Sequence, residues 1–395
     1  MKILFLTSRL PYPLYGGDRL TPYKFIEHLA RKHEVHLLTF IESKDQERFV
    51  PKVESTGAGV ETIYLPRWVS YLRCALSLVR SAPFQVCYYL SNRMRRAVRD
   101  QVRTLRPDLV ICHLIRMAPY ALPITECKRI IIVADAISLS LKRSLPYRGP
   151  LMRVMASLEY RKVKASEIEA LQAFDAATVA SDLDRQVLLE AVPEARLSVV
   201  TNGVDLEYFQ PGSDLYDPYQ CVFVGNMHAY PNQDAVRWFA KDLLPLVRKR
   251  VPAAEFHIVG AYGPPDLQVL EQFPGVHIVG QVDDLRSVVR SAAVSVCPMR
   301  IGAGIQNKNL EAMAMGVPVV TTTFGYEGIQ AEKGKEILVA DDWDDFASAV
   351  AEMMLDRQRR EHVAQAGRRF VEDHFRWETQ LANLDQVVKS VFNSD

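Results

Sequence analysis

Arg300-Ile-Gly-Ala-Gly-Ile-Gln-Asn-Lys-Asn-Leu-Glu-Ala-Met-Ala-Met-Gly-Val-Pro-Val-Val320 decides how this chain is read. Gly302 and Gly304 form a turn that runs into a helical stretch carrying Lys308 and Glu311; Gly316, Pro318 and a β-branched run follow. A flexible turn that opens a helix presents unpaired amide N–H groups and the positive end of the helix dipole, which together seat a phosphate. Glu311, one turn further in, is placed to hold a pair of ribose hydroxyls. The stretch reads as a grip for a nucleotide-activated substrate.

Working outward, apolar runs at 294–297 and 317–321 flank this segment, and the same alternation of apolar runs with amphipathic stretches continues along the chain. In the first half, runs at 3–7, 35–40, 60–65, 109–112, 130–134, 177–180 and 197–200 predict buried strands. A second series runs at 221–224, 255–259, 277–279, 294–297, 317–321 and 337–339. Helical segments such as 21–32 and 91–105 lie between them, and 344–392 reads as helical throughout. Alternating strands and helices predict α/β architecture with parallel sheets. The two series join near 201–211, so the expected division is 1–204, 205–375 and a terminal helical segment, 376–395. Ligands of such folds bind beyond the carboxyl ends of the strands, in a cleft.

At 395 residues the chain exceeds what one hydrophobic core usually supports. A hydrophobic content of 48% with 24% charged residues excludes disordered and fibrous classes. The net charge of +1 hides an asymmetry: residues 1–205 are net positive and the remainder net negative by a similar amount. Basic stretches at 71–80, 92–99, 142–143 and 146–153 stand near Trp68, Tyr71, Leu72 and Leu76, a combination suited to an anionic leaflet or an acidic acceptor. The charge is too modest, and recognised modules too absent, for a nucleic-acid partner. Six cysteines without C-x-x-C or metal spacing read as reduced, buried thiols of a cytoplasmic protein. Residues 2–6 are too short for a signal peptide, and no apolar run reaches 18 residues.

Three further motifs follow strands. Gly16-Gly17 comes after the first strand and lets backbone approach a ligand; no G-x-G-x-x-G stands there, so a dinucleotide fingerprint is absent. His113 ends the run 109–112 and reads either as a cleft group able to meet a substrate hydroxyl or as a structural histidine. Asn202-Gly203-Val204-Asp205, with Phe209 and Pro211, leaves the last strand of the first series.

The order of these motifs resembles the GT-B glycosyltransferases of family 4 over essentially the whole chain, and within them the sugar transferases of bacterial exopolysaccharide gene clusters. It runs from Gly-Gly through D-x-x-x-x-H and N-G-V-D-x-x-x-F-x-P to a glycine turn before E-A-M-A-x-G-x-P-V-V. The resemblance implies two Rossmann-like domains facing a cleft, with residues 1–204 binding the acceptor, 205–375 the donor, and the last helix crossing back to the first domain. It implies a hexosyltransferase-type enzyme that moves a sugar from a UDP- or GDP-linked donor to a glycan or lipid-linked acceptor, with retention and without a metal or other cofactor. The expected placement is cytoplasmic, at the inner face of the membrane.

Residue by residue, Glu311 matches the ribose-binding second glutamate of E-x7-E, and Gly304, Ile305, Gln306 and Asn307 match the turn that meets the donor sugar and phosphates. His113 matches the histidine near the donor sugar, Gly16 and Gly17 the loop at the diphosphate, and the segment around Val282 the base-binding region. The chain departs from the family pattern at three places. Ala303 stands where the first glutamate is usual, Gly225 is followed by Asn226 instead of arginine, and Tyr230-Pro231-Asn232 lacks the lysine. Lys308 and Arg300 are the candidate replacements for the two missing cations, since a diphosphate in a closed site needs compensation. Ala303 and Asn226 favour the alternative, a nucleotide-sugar-binding or scaffold protein without transfer activity; a GT-B epimerase would want more bases than His113.

Overall fold

A computed structural model describes residues 1–14, 17–76, 82–212, 216–261, 263–302 and 304–393. The chain divides into two compact units, Met1–Thr201 with Leu381–Asp395, and Asn202–Gln380.

The first unit is built on a parallel sheet of β1 (Lys2–Thr7), β2 (Glu34–Ile41), β3 (Gly59–Tyr64), β4 (Leu109–His113), β5 (Lys128–Ala134), β6 (Ala176–Val179) and β7 (Leu197–Val199), in the order β3-β2-β1-β4-β5-β6-β7. The second is built on β8 (Asp217–Val224), β9 (Glu255–Val259), β10 (Val276–Gly280), β11 (Ala292–Cys297), β12 (Val319–Thr321) and β13 (Leu338–Val339), in the order β10-β9-β8-β11-β12-β13, again parallel. Every apolar run read from the sequence falls on one of these strands. The reason is that parallel strands are covered on both faces, so β4, buried along its whole length, needs apolar residues at consecutive positions.

In both sheets the first strand sits between its successor and a strand from later in the chain. β1 lies between β2 and β4, and β8 between β9 and β11. This reversal of strand order is the switch point at which loops leave the sheet in opposite directions and open a crevice.

Helices cover both faces, and their ends follow local chemistry. Ser91 caps Asn92–Leu105 by accepting from the Met94 amide at 3.4 Å, and Arg106 closes it in the left-handed region at φ 49°. The stretch 344–392 is not one helix. It is Trp343–Leu355, Arg357–His374 and Trp377–Ser390. Asp356 breaks the first join: it ends one helix at ψ 96° and caps the next, its carboxylate accepting from the Arg359 amide at 2.9 Å.

Asn202, Gly203 and Val204 belong with the second unit. The Val204 amide donates to the Phe375 carbonyl at 2.7 Å, and a Cβ on Gly203 would lie 2.6 Å from the Trp377 ring. At the other end of the chain, Asp385 accepts from Lys32 at 2.5 Å and pairs with His28 at 3.0 Å within the first unit. Each unit has its own core; in the second, Phe223, Phe239, Phe256 and Phe346 are fully buried, with the Phe239 and Phe256 ring centroids 4.4 Å apart. The cysteines form no disulfide, but Cys74 and Cys127 are half-buried, unlike the other four: Cys74 lies on the amphipathic helix Arg67–Leu76 and Cys127 just ahead of β5. Among the described residues, no helix is long and apolar enough to cross a membrane.

Candidate nucleotide-binding site

Because β8 and β11 are neighbours, the loops that follow them start from adjacent strand ends at the switch point of the second unit. After β8 come Gly225 and Asn226, then the helix Tyr230–Trp238. After β11 come Arg300 and the glycine turn, then the helix Asn307–Ala314.

The backbone here is packed closely. The Gly225 amide donates to the Val259 carbonyl at 2.9 Å, and Gly260, at φ 141°, is so near that a Cβ would stand 1.8 Å from the Gly225 carbonyl oxygen. Gly302 at φ 141° and Gly304 at φ 79° occupy the left-handed region, which glycine adopts at low cost. Gln306 then stands at the N-cap with extended backbone, and its side chain makes no capping bond.

Lys308 and Glu311 lie one turn apart on that helix, on neighbouring positions of one face. The Lys308 ammonium donates to Asn232 Oδ1 at 2.8 Å and sits 4.2 Å above the Phe223 ring. Asn232 in turn donates through Nδ2 to the Asn226 carbonyl at 3.0 Å. Lys308, Asn232 and Asn226 thus tie the two loops together. Burial lowers the Lys308 pKa, partly offset by Cys297 and Glu311; burial raises the Glu311 carboxyl to about 7 against the pull of Lys308. A carboxyl poised near neutrality beside a desolvated ammonium is typical of a ligand site.

The other predicted donor residues divide by environment. Asn307 Oδ1 accepts from Asn202 Nδ2 at 3.1 Å. Ile305 and Val282 both pack against the cluster containing Val259, Leu310 and Met313. Gly280, at φ 77°, accepts from the Gly260 amide at 2.8 Å. A cavity of about 210 Å³ opens beside Gly260 and Gly280, lined by Met227, Ile258, Leu267 and Ile278. Arg300 is held differently: Asp234 takes its guanidinium in a bidentate pair at 3.0 and 2.7 Å, and Trp238 lies beneath it at 4.9 Å. Its charge is answered within the fold. Gly16 and Ala303 lie outside the described residues.

In the first unit, Gly17 opens the helix Gly17–Ala30, and Asp18 pairs with Arg9 at 3.3 Å. His113 is buried at the end of β4; burial, reinforced by Arg116, lowers its pKa to about 3, so the imidazole is neutral.

Three acids of the first unit escaped sequence reasoning. Asp135 follows β5, and burial with the charge of Asp184 raises its carboxyl to about 7. Asp184 accepts from the Ala136 amide at 2.9 Å and Glu167 from the Ser138 amide at 3.1 Å. An aspartate directly after the apolar run 130–134 was the available signal. Asn232 and Asp234 were likewise missed as partners, because their contacts span 76 and 66 positions.

Residues 16–208 match the family model described as Glycosyltransferase Family 4, and residues 218–356 match that described as Glycosyl transferases group 1. The chain thus carries a family 4 glycosyltransferase domain followed by a group 1 glycosyl transferase domain, in the GT-B fold. It is 30% identical over 243 residues to a GDP-mannose-dependent α-(1-6)-phosphatidylinositol monomannoside mannosyltransferase of Mycobacterium tuberculosis. That match takes in 54% of this chain and spans 62% of the relative's length. An uncharacterized 44.6 kDa protein from the cps region of Klebsiella pneumoniae is 26% identical over 147 residues, covering 35% of this chain and 38% of that one. The fold matches a sucrose-phosphate synthase from Thermosynechococcus elongatus with a TM-score of 0.74 at 16% identity, covering 100% of both chains. It matches the Anabaena protein HepE, solved with UDP, with a TM-score of 0.70 at 15% identity, covering 99% of this chain and 100% of that one.

Proposed function

We propose that the second unit binds a UDP- or GDP-linked sugar and that the protein transfers the sugar to a glycan or lipid-linked acceptor, with retention and without a metal. The observation that carries this reading is Lys308, a desolvated ammonium held by Asn232 beside the glycine turn and the start of the helix Asn307–Ala314. Charge develops on the leaving diphosphate as the sugar departs, and an ammonium and helix amides already in place stabilise it without reorganisation. Lys308 thereby supplies the charge that Asn226 and Asn232 do not. Glu311, once ionised, accepts from the ribose hydroxyls. The cavity between Met227 and Gly280 suits the base. His113 of the first unit, neutral, is fit to hydrogen-bond a hydroxyl.

The relatives support both donor bases: the mycobacterial protein is named for GDP-mannose, and HepE was solved with UDP and with UDP-glucose. The acceptor belongs to the first unit on this reading. Its helix Arg67–Leu76 exposes Trp68 (68%), Tyr71 and Leu72, and its helix Pro150–Ala173 exposes Leu151 (76%), Val154 and Leu158. Both flank the helix Phe84–Tyr89: Tyr71 meets Tyr88 edge-on at 5.8 Å, and Glu159 accepts from the Phe84 amide at 2.8 Å. With the exposed arginines 93, 95, 96 and 99 of Asn92–Leu105 nearby in sequence, this surface suits the anionic leaflet that carries a lipid-linked acceptor.

The test is turnover of a panel of UDP- and GDP-sugars with chelator present, using polyprenyl-diphosphate-linked saccharides as acceptors. Product of unchanged anomeric configuration is expected. Tight nucleotide binding with neither transfer nor hydrolysis on any acceptor would establish the binding-protein alternative instead.

A further inference from the structure

We propose that Glu255, His257 and His277 form a binding site for a divalent transition-metal ion of the Zn²⁺ class, at the edge of the second unit's sheet and apart from the nucleotide site. β10 is the edge strand, and its His277 stands directly across from His257 of β9. Glu255 lies two residues before His257, so strand alternation places both on one face, while Phe256 and Ile258 turn into the core on the other. Parallel pairing thus brings two imidazoles and one carboxylate to a single spot.

The distances fit a shared ion, with only a long hydrogen bond between Glu255 and His257 in its place. Glu255 Oε2 is 3.4 Å from His257 Nε2 and 3.7 Å from His277 Nε2, and one ligand atom from each of the three residues falls within 4.8 Å of the others. These separations are long for hydrogen bonds, which cluster near 2.9 Å. Two ligands each about 2.0–2.1 Å from a tetrahedral zinc ion stand about 3.3–3.4 Å apart. The imidazole rings are 5.0 Å apart between centroids and tilted by 59°, which leaves both nitrogens free to aim at a common point. Two nitrogens and one carboxylate suit Zn²⁺, Ni²⁺ or Cu²⁺; Mg²⁺ and Ca²⁺ favour oxygen ligands throughout. His277 is half exposed, so the ion can enter and keep water in its remaining position. The charge of Asp217 also acts on His257, adding to the attraction for a cation.

A bound ion would pin β10 to β9 at the end opposite Gly280, the residue whose carbonyl holds Gly260. It would act as a clamp on the edge strand and take no part in sugar transfer, so the proposal stands independently of the function proposed above.

The experiment uses tag-free, full-length protein stripped with chelator and then dialysed against Zn²⁺, with metal analysis and thermal melts. One equivalent bound at micromolar affinity is expected, with a rise in Tm and no effect of Mg²⁺. His277→Ala and His257→Ala are each expected to weaken binding at least about tenfold, and His277→Cys to retain it. Metal-free melts confirm that the variants fold. Absence of Zn²⁺, Ni²⁺ and Cu²⁺ binding by the natural protein would overturn the proposal, as would unchanged stoichiometric binding by folded His257→Ala/His277→Ala.

Discussion

On the function proposed, Lys308 is the residue on which donor binding turns, because it joins the two loops and brings charge to them. Lys308→Ala removes the ammonium and leaves Asn232 Oδ1 without that donor, so affinity for UDP or GDP should fall roughly 10- to 100-fold, the loss typical of a charge-assisted bond to phosphate. Calorimetry checks this, and unchanged affinity would remove Lys308 from the site. Glu311 makes a separate prediction through its carboxyl, raised to about 7. A carboxyl whose folded pKa is raised favours the fold in its neutral form, and that contribution is lost as pH rises through the folded value. At pH 8 the ionised, half-buried Glu311 therefore weakens the ligand-free protein, and Glu311→Gln should raise Tm by about 2–4 °C there but not at pH 5. If Glu311 binds ribose as proposed, it does so ionised, and affinity for a sugar nucleotide should rise between pH 6 and 8 in the natural protein and stay flat and weak in Glu311→Gln. A diphosphate diester does not titrate in this range, and the flat profile of Glu311→Gln, which keeps Lys308, assigns the rise to Glu311. The positions of Lys308 and Glu311 were legible from the glycine turn and the helical spacing. The partner of Lys308 was not: Asn232 is 76 residues away, and only the adjacency of β8 and β11 brings it near.

Elements were legible to different degrees for physical reasons. Strands buried on both faces must be apolar, so β4 and β5 stand out as continuous runs. The order of strands was not marked in the same way, because apolar residues on β8 serve β9 and β11 equally well. Helix breaks were hidden too: Asp356 is followed by Arg-Gln-Arg-Arg-Glu, all compatible with helix, and only its capping bond ends one helix and starts another. Close approach between elements shows most clearly at Gly260, where β9 ends against the loop from β8. Gly260→Ala would place a methyl 1.8 Å from the Gly225 carbonyl oxygen at φ 141°. The loop must move, at a cost of about 2–4 kcal/mol, and carry Asn226 away from Asn232. A lowered denaturation midpoint together with weakened nucleotide binding is expected. Loss of stability with full affinity would show that the loop's position does not matter to the ligand.

Across the whole molecule, charge is distributed by unit, and the first unit also gathers exposed apolar side chains on two of its helices. The acidic half carries Lys308 as a half-buried local exception, so the nucleotide binding proposed would depend on short-range contacts more than on long-range attraction. The basic half presents Trp68, Tyr71, Leu72, Leu151, Val154 and Leu158 to solvent, with arginines 93, 95, 96 and 99 exposed on a separate helix. Two different forces would then hold this unit to a membrane. Burial of aromatic and aliphatic side chains in the headgroup region is insensitive to salt, whereas attraction to anionic lipid falls away as the Debye length shrinks from about 10 Å at 0.1 M to about 3 Å at 1 M. Flotation with vesicles containing phosphatidylglycerol should therefore recover the protein at low salt and progressively less as salt rises, with little recovery on phosphatidylcholine alone. Trp68→Ser/Leu72→Ser should lower recovery at every salt concentration. Arg93→Gln/Arg96→Gln should lower it only at low salt, which separates the two contributions. No recovery on either lipid would end the membrane reading and move the acceptor to the soluble glycans, a result that nucleotide binding by the second unit would survive.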